Sequence, residues 1–235
     1  WGPISHDYSL AGAGTYSAFA VIYHGQPPGE DGLGASQIDG FEIVIPPTEG
    51  GLIVNKVLIN DNGGTAATSS FAFKINGGTA TPFEGDGSNS FTLTEGAYTV
   101  TEVAASGYSA TYSEGCSAGV VAGATTTCTI ANDDQQGTLI VTKMLPNNSG
   151  GSSVPEDYSY TIDAGSPVVF ESNGSNSQSV NGGTYTVAEV GTPIPGHTTT
   201  YGNDCSPNGV VTVGNGQTKV CTITNDDIAP TLTVV

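Results

Sequence analysis

Three polar side chains recur in the same order in two stretches of the chain, each time with two cysteines. The two sets are Lys56, Glu102, Cys116, Cys128 and Asn132, then Lys143, Glu189, Cys205, Cys221 and Asn225. An amine, a carboxyl and a carboxamide can react with one another when they are held together, and paired thiols can form disulfides. A period of roughly ninety residues that returns all five predicts two tandem copies of one domain.

The alternation of side chains along a strand predicts where these polar residues lie. In GTLIVTKML, Lys143 shares a face with Leu139 and Val141. In GTYTVAE and VCTITN, Glu189 and Asn225 likewise fall in register with apolar neighbours, and the first repeat follows the same rule. We therefore predict that the lysine, glutamate and asparagine of each repeat face its core. Such burial is costly unless the groups satisfy one another, so the pattern also predicts their contact.

The order of these motifs resembles a known family. A lysine ending the first strand, a G-x-Y-x-x-x-E box and an asparagine ending the last strand resemble the CnaB/SpaA-type prealbumin-like domains of bacterial and archaeal surface proteins and pilins. The resemblance covers residues 51–227 and implies an Ig-like β-sandwich in each repeat. In that family the lysine and asparagine side chains join in an isopeptide bond that the glutamate assists. The resemblance therefore implies cross-links between Lys56 and Asn132 with Glu102, and between Lys143 and Asn225 with Glu189.

The physical chemistry of a buried triad agrees with that implication. Burial disfavours the lysine ammonium, which leaves an amine nucleophile, and it equally favours a neutral glutamate that can polarise the asparagine carbonyl. Attack on the amide would expel ammonia once per site, without turnover. The alternative is a non-covalent Lys–Glu pair with the asparagine capping the strand end. We find no serine-protease order, phosphate loop or HExxH motif, so we expect no enzyme beyond this self-modification.

The four cysteines predict one disulfide in each repeat. Cys116 and Cys128 are twelve residues apart, Cys205 and Cys221 are sixteen apart, and neither spacing is that of a metal ligand pair. Pairing across the repeats is the alternative, and it would make the duplication of both cysteines harder to understand. Disulfides form in oxidising compartments, so we expect an extracellular protein, either secreted or on the cell surface.

Charge and composition exclude some functions and suggest others. The chain has 22 acidic residues, 4 lysines and no arginine, with a net charge of −18, which argues against nucleic acid and anionic membranes as partners. There is no apolar run of membrane-spanning length, so we expect no membrane insertion. The acidic residues at the repeat ends are candidate Ca²⁺ ligands, with Asp61 or Asp86 as helpers, and two asparagines form glycosylation sequons. The end residues are Asp133, Asp134, Asp226 and Asp227, and the sequons start at Asn147 and Asn173.

Short alternating segments broken by glycine, asparagine and aspartate predict an all-β protein. Residues 1–50 form an N-terminal β segment with strand-like runs at 15–23 and 40–46. Repeat 1 then covers 51–134 and repeat 2 covers 135–227, each with about seven strands. Residues 228–235 (IAPTLTVV) align with QQGTLIVT at the start of repeat 2, which predicts either the start of a further repeat or a strand used by a neighbouring chain.

These features predict an extracellular structural protein, the subunit or stalk of a pilus-like surface filament. Intradomain cross-links would brace it, and copies would assemble into a homopolymer by exchanging strand 15–23 or 231–235. The alternative is an adhesin or carbohydrate-binding module on a stalk that contacts a cell-surface glycan. Residues 1–50 or the loop tips would then be the contact surface, with Tyr8, Tyr16 and Tyr23 as aromatic platforms.

Overall fold

The computed structural model describes residues 14–21, 38–45, 48–192 and 194–233. The first two ranges are strands β1 (Gly14–Val21) and β2 (Ile38–Ile45), which pair antiparallel with each other. The strand predicted at 15–23 therefore pairs within its own chain over the residues that the structure describes. The aromatic platforms proposed at Tyr8 and Tyr23 lie outside the described residues, and of Tyr16 only its place in β1 is described.

The first repeat consists of two facing sheets built from seven strands. One sheet has the order β6-β3-β9-β8 and the other has the order β5-β4-β7. The strands are β3 (Glu49–Ile59), β4 (Ala72–Ile75), β5 (Thr81–Pro82), β6 (Ser88–Thr94), β7 (Val100–Glu102), β8 (Tyr108–Tyr112) and β9 (Thr125–Asp134). Short 3-10 turns at Thr68–Ser70 and Glu114–Cys116 connect them.

The second repeat follows the same plan with one strand more. Its sheets have the orders β13-β10-β17-β15 and β12-β11-β14-β16. The strands are β10 (Gly137–Met144), β11 (Ser159–Ile162), β12 (Val168–Val169), β13 (Ser175–Val180), β14 (Gly183–Glu189), β15 (His197–Asn203), β16 (Val210–Val213) and β17 (Thr218–Asp227). A 3-10 turn at Pro155–Asp157 precedes β11. Among the described residues, no helix is long and apolar enough to cross a membrane.

Each repeat has its own apolar core between its two sheets, as the alternating patterns predict. In repeat 1 the core includes Leu52 and Val54 from β3, Phe73 from β4 and Ile130 from β9. Repeat 2 uses the corresponding apolar face of every strand. Its fully buried members include Leu139, Val141, Tyr160, Phe170, Val187 and Ile223.

The first and last strands of each repeat are parallel neighbours in one sheet. Strand β3 pairs with β9 so that Lys56 lies opposite Ile130, and β10 pairs with β17 so that Lys143 lies opposite Ile223. Two residues further along β9 is Asn132, on the same face as Ile130. This register places the lysine of the first strand beside the asparagine of the last.

In the part of the chain that the structure describes, the second sheet of repeat 1 has no counterpart of β16, the strand that completes the sheet of repeat 2. In repeat 2, β16 pairs antiparallel with β14, from Gly183 opposite Val213 to Thr186 opposite Val210. In repeat 1 the described pairing at this place is a single bridge between Gly96 and Val120. The cysteines of repeat 1 are 12 residues apart against 16 in repeat 2, so four residues fewer are available between them. Among the described residues no strand pairs with the outer edge of β7, where the Glu102 N–H donates to the Tyr112 hydroxyl at 3.1 Å.

Candidate cross-link sites

Repeat 1 brings together the three polar residues that the alternation placed in its core. Lys56 comes from β3, Glu102 ends β7 and Asn132 lies on β9. The Lys56 ammonium or amine nitrogen Nζ contacts both Glu102 Oε1 and Asn132 Oδ1. The Lys56 and Glu102 side chains are 0% and 2% exposed, and Asn132 is 1% exposed. The nucleophile and the amide are thus adjacent in a setting that excludes water.

Repeat 2 holds its triad in a slightly different arrangement. Lys143 Nζ contacts Glu189 Oε1, and Asn225 Nδ2 donates to the same oxygen at 3.1 Å. The Thr199 hydroxyl donates to Glu189 Oε2 at 3.4 Å. In the described part of the chain, Asn225 Oδ1 is the buried side-chain polar atom that has no hydrogen-bond partner. Rotating the amide by half a turn would bring Oδ1 against Glu189, where a protonated carboxyl would donate to it.

Aromatic rings close one side of each site. Lys56 Nζ lies 4.3 Å from the centroid of the Phe71 ring and 5.3 Å from that of Phe83. Lys143 Nζ lies 4.2 Å from the Tyr158 ring centroid. A ring face attracts an ammonium, but the same rings also remove water from around the nitrogen. The sequence analysis did not assign these rings to the sites, although Phe71 and Tyr158 hold equivalent positions just before β4 and β11.

Burial sets the protonation of both lysines. Removal from water lowers the pKa of Lys56 and of Lys143, and the carboxylates of Glu102 and Glu189 oppose that effect without cancelling it. A lowered pKa increases the fraction of neutral amine near neutral pH. In repeat 1 the amine contacts both the carboxyl and the amide, the arrangement that amide exchange requires, whereas in repeat 2 Lys143 and Asn225 both contact Glu189.

The cysteines pair within each repeat rather than across the repeats. Cys116 joins Cys128 and Cys205 joins Cys221, with Cα–Cα distances of 4.3 and 4.9 Å. All four sulfurs belong to the buried cores. Cys128 and Cys221 lie on the last strands, four residues before Asn132 and Asn225, so each last strand carries both the disulfide and the cross-link candidate.

Three acidic residues at the end of repeat 1 lie close together, and carboxylate oxygens are ligands that Ca²⁺ prefers. Carboxylates of Asp61, Asp133 and Asp134 lie close together, but Asp134 accepts hydrogen bonds from the backbone N–H groups of Asp61, Asn62 and Gly64. Burial alone would raise the pKa of Asp134, yet these donors outweigh it and lower that pKa. The Asp134 carboxylate is thus hydrogen-bonded to backbone groups while Asp61 and Asp133 are exposed, and calcium binding at this cluster stays a prediction.

Asp227 is held in the same way at the end of repeat 2. Its carboxylate accepts the backbone N–H groups of Asn148, Ser149 and Gly151 at 2.7 to 3.0 Å, and next to it Asp226 is exposed. Calcium binding at Asp226 and Asp227 likewise stays a prediction. Asp86, the predicted helper, accepts the N–H of Ser88 at 3.0 Å within a turn.

Both glycosylation sequons lie in exposed loops. Asn147 donates from Nδ2 to the Ser153 carbonyl at 3.0 Å, and Asn173 accepts the N–H of Ser175 at 2.8 Å. Both side chains are exposed, which glycosylation requires. Modification of either asparagine stays a prediction.

Comparison with protein families assigns the repeats. A family model described as a prealbumin-like fold domain matches residues 48–133 and again residues 134–223. The chain belongs to the prealbumin-like fold domain family. No curated protein sequence matches it.

Solved structures are similar to this chain at low sequence identity. The Bacillus anthracis TIE protein is 18% identical with a TM-score of 0.50, covering 83% of this chain and 38% of that one. The present chain thus spans well under half the length of that protein. The minor pilin GBS52 of Streptococcus agalactiae is 14% identical with a TM-score of 0.33 (79% and 99% covered). A B repeat unit of the Staphylococcus aureus collagen-binding surface protein is 17% identical with a TM-score of 0.30 (77% and 100% covered).

Proposed function

We propose that this prealbumin-like protein is an extracellular structural element, a subunit or stalk segment of a pilus-like surface filament braced by intradomain isopeptide bonds. The observation that carries the proposal is the burial of lysine, glutamate and asparagine in contact, once in each repeat, between the first and last strands. Burying these groups is costly, and apolar side chains would fill the same space at a lower cost. Formation of an isopeptide bond accounts for the polar residues, because apolar side chains cannot form one.

The proposed reaction balances within each site. The neutral lysine Nζ attacks the side-chain carbonyl carbon of the asparagine while the protonated glutamate donates to the carbonyl oxygen. The amide nitrogen takes up a proton through the glutamate and leaves as ammonia. The new C–N bond joins Lys56 to Asn132, or Lys143 to Asn225, and the glutamate returns to its starting protonation. Fixing the groups in one core supplies much of the rate advantage.

Such a bond would change how tension passes through a repeat. Tension applied at the start of β3 and the end of β9 pulls two parallel neighbours past each other. A Lys56–Asn132 bond would carry that tension from one strand to the other and shield the intervening stretch, because the two residues are 76 positions apart. The same reasoning applies to repeat 2, which makes a rod that resists extension.

For assembly we propose strand exchange in which the tail 231–235 of one copy adds to the open edge of β7 in another. Hydrogen bonds from Asn76 N–H to the Thr99 carbonyl and from Val103 N–H to the Ala72 carbonyl fix the pairing of β7 with β4. The alternation of an antiparallel ladder then directs the backbone groups of Val100 away from β4. In repeat 2 the equivalent Val187 N–H donates to the Gly209 carbonyl, just before β16.

A groove of about 440 Å³ runs beside this edge. It is lined by Val100, Tyr112 and the Cys116 side of the disulfide, among others. In this chain the tail residues 228–233 form no strand, and Leu232 is 87% exposed. In repeat 2, β16 pairs with Gly183–Thr186, just before the residues equivalent to β7, and its Val211 and Val213 are buried in the core. The tail likewise has apolar residues at alternate positions, Leu232 and Val234. These features support the β7 edge as the acceptor.

Intact mass spectrometry before and after reduction tests the cross-links. We expect the protein to lack two molecules of ammonia, a deficit that survives reduction, and to regain four hydrogens on reduction. Lys56→Met and Lys143→Met should each restore one ammonia. A mass that shows only the four hydrogens would reject the isopeptide bonds and leave two disulfides with hydrogen-bonded triads.

Sedimentation over a range of concentrations tests strand exchange separately. We expect the full chain to form oligomers that shrink on deletion of residues 228–235, and a synthetic peptide of that sequence to compete while a scrambled peptide does not. Oligomers that persist after the deletion and in the presence of the peptide would reject strand exchange through the tail. That result would not bear on the isopeptide bonds. Saturable glycan binding by a monomer would favour the adhesin alternative.

A further inference from the structure

The two repeats meet at a polar junction centred on one asparagine. Asn215, in the turn between β16 and β17, donates from Nδ2 to the Asn62 carbonyl at 2.9 Å, to Asp134 Oδ2 at 3.0 Å and to the Gln135 carbonyl at 3.0 Å. The backbone adds two bonds, from Gly182 N–H to the Asn62 carbonyl at 2.7 Å and from Gly216 N–H to the Gln135 carbonyl at 3.1 Å. An Asn–Gly turn of repeat 2 is thus seated on the end of repeat 1.

Two glycines of repeat 1 allow this close approach. Gly63 and Gly107 have φ values of +87° and +79°. A Cβ on Gly63 would collide with the carbonyl oxygen of Gly182, and a Cβ on Gly107 would lie 2.6 Å from the carbonyl oxygen of Asn215. The glycines therefore serve both the turn and the junction. Asp134, beneath them, is 2% exposed.

The far end of repeat 2 repeats this surface feature by feature. Asp227 takes the place of Asp134, with N–H donors from Asn148, Ser149 and Gly151 in place of Asp61, Asn62 and Gly64. The Ile228 N–H donates to the Gly196 carbonyl at 2.9 Å, as the Gln135 N–H does to the Gly107 carbonyl at 2.8 Å.

The two surfaces differ in one respect: the turn that holds Asn215 covers the Asp134 surface, and no such turn lies on the described part of the Asp227 surface. Gly150 and Gly196 have φ values of +101° and +76°, and a Cβ on either would meet nothing within 4 Å. Asp227 is partly exposed where Asp134 is buried, and it has three N–H donors but no counterpart of the Asn215 amide. Residues 228–233, which follow Asp227, are exposed.

We propose that this surface, the Asp227 face (Asn148–Gly151, Gly196 and Asp227), is a docking site for another prealbumin-like repeat that presents an Asn–Gly turn. Such a turn would donate its amide to Asp227 and to the carbonyl of Ser149, which is the position of Asn62. The covered junction within this chain is the model for the contact, and the matching donors and glycines at the second end argue for a partner of the same kind.

A second copy of this chain does not supply that partner. Its Asn215 turn is already engaged by its own repeat 1. At the end of repeat 1 that lies away from repeat 2, the equivalent positions hold Ala122 in place of Asn215 and Glu95 in place of Gly182. An alanine offers no amide donor, and a glutamate there would bring a second carboxylate towards Asp227. The occupant is therefore a repeat of the type of repeat 2. This inference stands independently of the isopeptide bonds and of strand exchange.

The test transplants the Asp227 face onto repeat 1. The two residues of the face that differ are exchanged for their counterparts in repeat 2, giving Asp61→Asn and Asn62→Ser. The two residues that follow Asp134 are exchanged with them, giving Gln135→Ile and Gln136→Ala. Every side chain changed is exposed or half-exposed. NMR relaxation and residual dipolar couplings report whether the two repeats still tumble as one body with the wild-type orientation.

We expect both the wild type and the transplanted junction to show one rotational correlation time and a shared alignment. Asn215→Ala is the matched control, because it removes the amide that joins the repeats. We expect the two repeats to tumble separately when this change is made in the wild type or in the transplant. A transplant that tumbles as two independent bodies, while the wild type does not, would overturn the proposal, since the Asp227 face would then be unable to seat the turn.

A second protein tests the face in its own place. Residues 1–227 followed by a second copy of 135–235 present the added Asn215 turn to Asp227. Rigid docking of the added repeat, abolished by Asn215→Ala in that copy alone, supports the proposal, and independent motion of the added repeat contradicts it. Self-association of the unextended chain that is lost on Asp227→Ala would show a second copy as the occupant and overturn the partner named here.

Discussion

Replacing the whole triad of repeat 1 by apolar residues should change the unfolding free energy. The sign of that change tells whether the cross-link forms. The variant is Lys56→Met, Glu102→Met and Asn132→Leu, which keeps the shape of the site and leaves no buried charge without a partner. Changing all three matters, because removing Lys56 alone would strand a carboxyl that is 2% exposed and would be destabilising whether or not a bond existed.

The expected magnitude follows from the loop that the bond closes. Lys56 and Asn132 are 76 residues apart, and the chain-entropy relation for a cross-link of that span gives a stabilisation of about 4.5 kcal/mol. The Cys116–Cys128 bridge lies inside this loop and shortens it only slightly. If the bond forms, the variant should lose about 4.5 kcal/mol of unfolding free energy. Without it, apolar replacement of a buried ion pair is neutral or stabilises by about 1–4 kcal/mol.

Equilibrium unfolding in guanidinium under oxidising conditions measures the difference, with intact mass read on the same samples. The equivalent change in repeat 2 (Lys143→Met, Glu189→Met and Asn225→Leu) is an internal replicate, and Lys219→Met is the surface control because its bridge to Asp204 is about one-third exposed at each side chain. A variant at least as stable as the wild type, with no ammonia missing from the wild-type mass, would refute the covalent proposal.

Three further changes probe the junction and the disulfides. Asn215→Ala removes an amide that donates a hydrogen bond to the Asp134 carboxylate. It should uncouple the repeats and lower the unfolding free energy of repeat 1 by about 1.5–3 kcal/mol. An unchanged denaturation midpoint would contradict this role of the junction. Asp134 has a folded-state pKa below its ordinary 3.8, so its contribution is fully present above that value and is lost as pH falls through the folded pKa. Asp134→Asn should therefore flatten the acid limb of stability against pH, and a limb as steep as that of the wild type would count against this linkage. Cys205→Ala with Cys221→Ala opens a 16-residue loop and should cost about 3 kcal/mol, measured by the same unfolding curves, and a cost near zero would mean that this bridge adds no constraint.

Period-two alternation was sufficient to place the triads from the sequence. Lys143, Glu189 and Asn225 are each in register with core residues of their own strands, and strands of one sandwich share one core. The prediction that they meet needed only that geometry, because a buried charge has no other way to be satisfied. The pairing of the cysteines followed similarly from their duplication, and the structure places both pairs at disulfide distance within each repeat.

The junction could not be predicted in the same way. Its turns were recognisable as turns, since NDNGG and GNGQ carry glycine and asparagine at the expected places. Nothing local to those turns indicates that Asn215 reaches Asp134, 81 residues earlier. Glycine and asparagine occur in turns because they suit the local backbone geometry. Their presence therefore does not distinguish a turn exposed to solvent from one that packs against another repeat. The missing strand beside β7 did have a signal, the shorter cysteine spacing of repeat 1, and its structural meaning required the second repeat for comparison.

The differences between the repeats bear on how copies would associate. The open edge that we propose as the acceptor belongs to repeat 1, and the proposed donor tail follows repeat 2. A contact between these two surfaces is heterologous, because each copy contributes a different patch. Heterologous contacts propagate into open chains or close into rings, whereas two-fold dimers need one self-complementary patch. Cross-links from a photoreactive group at Leu232 should therefore map to the strand β7 region of a neighbouring copy. Cross-links that instead join Leu232 to Leu232 would indicate a closed dimer and would contradict filament growth by this route.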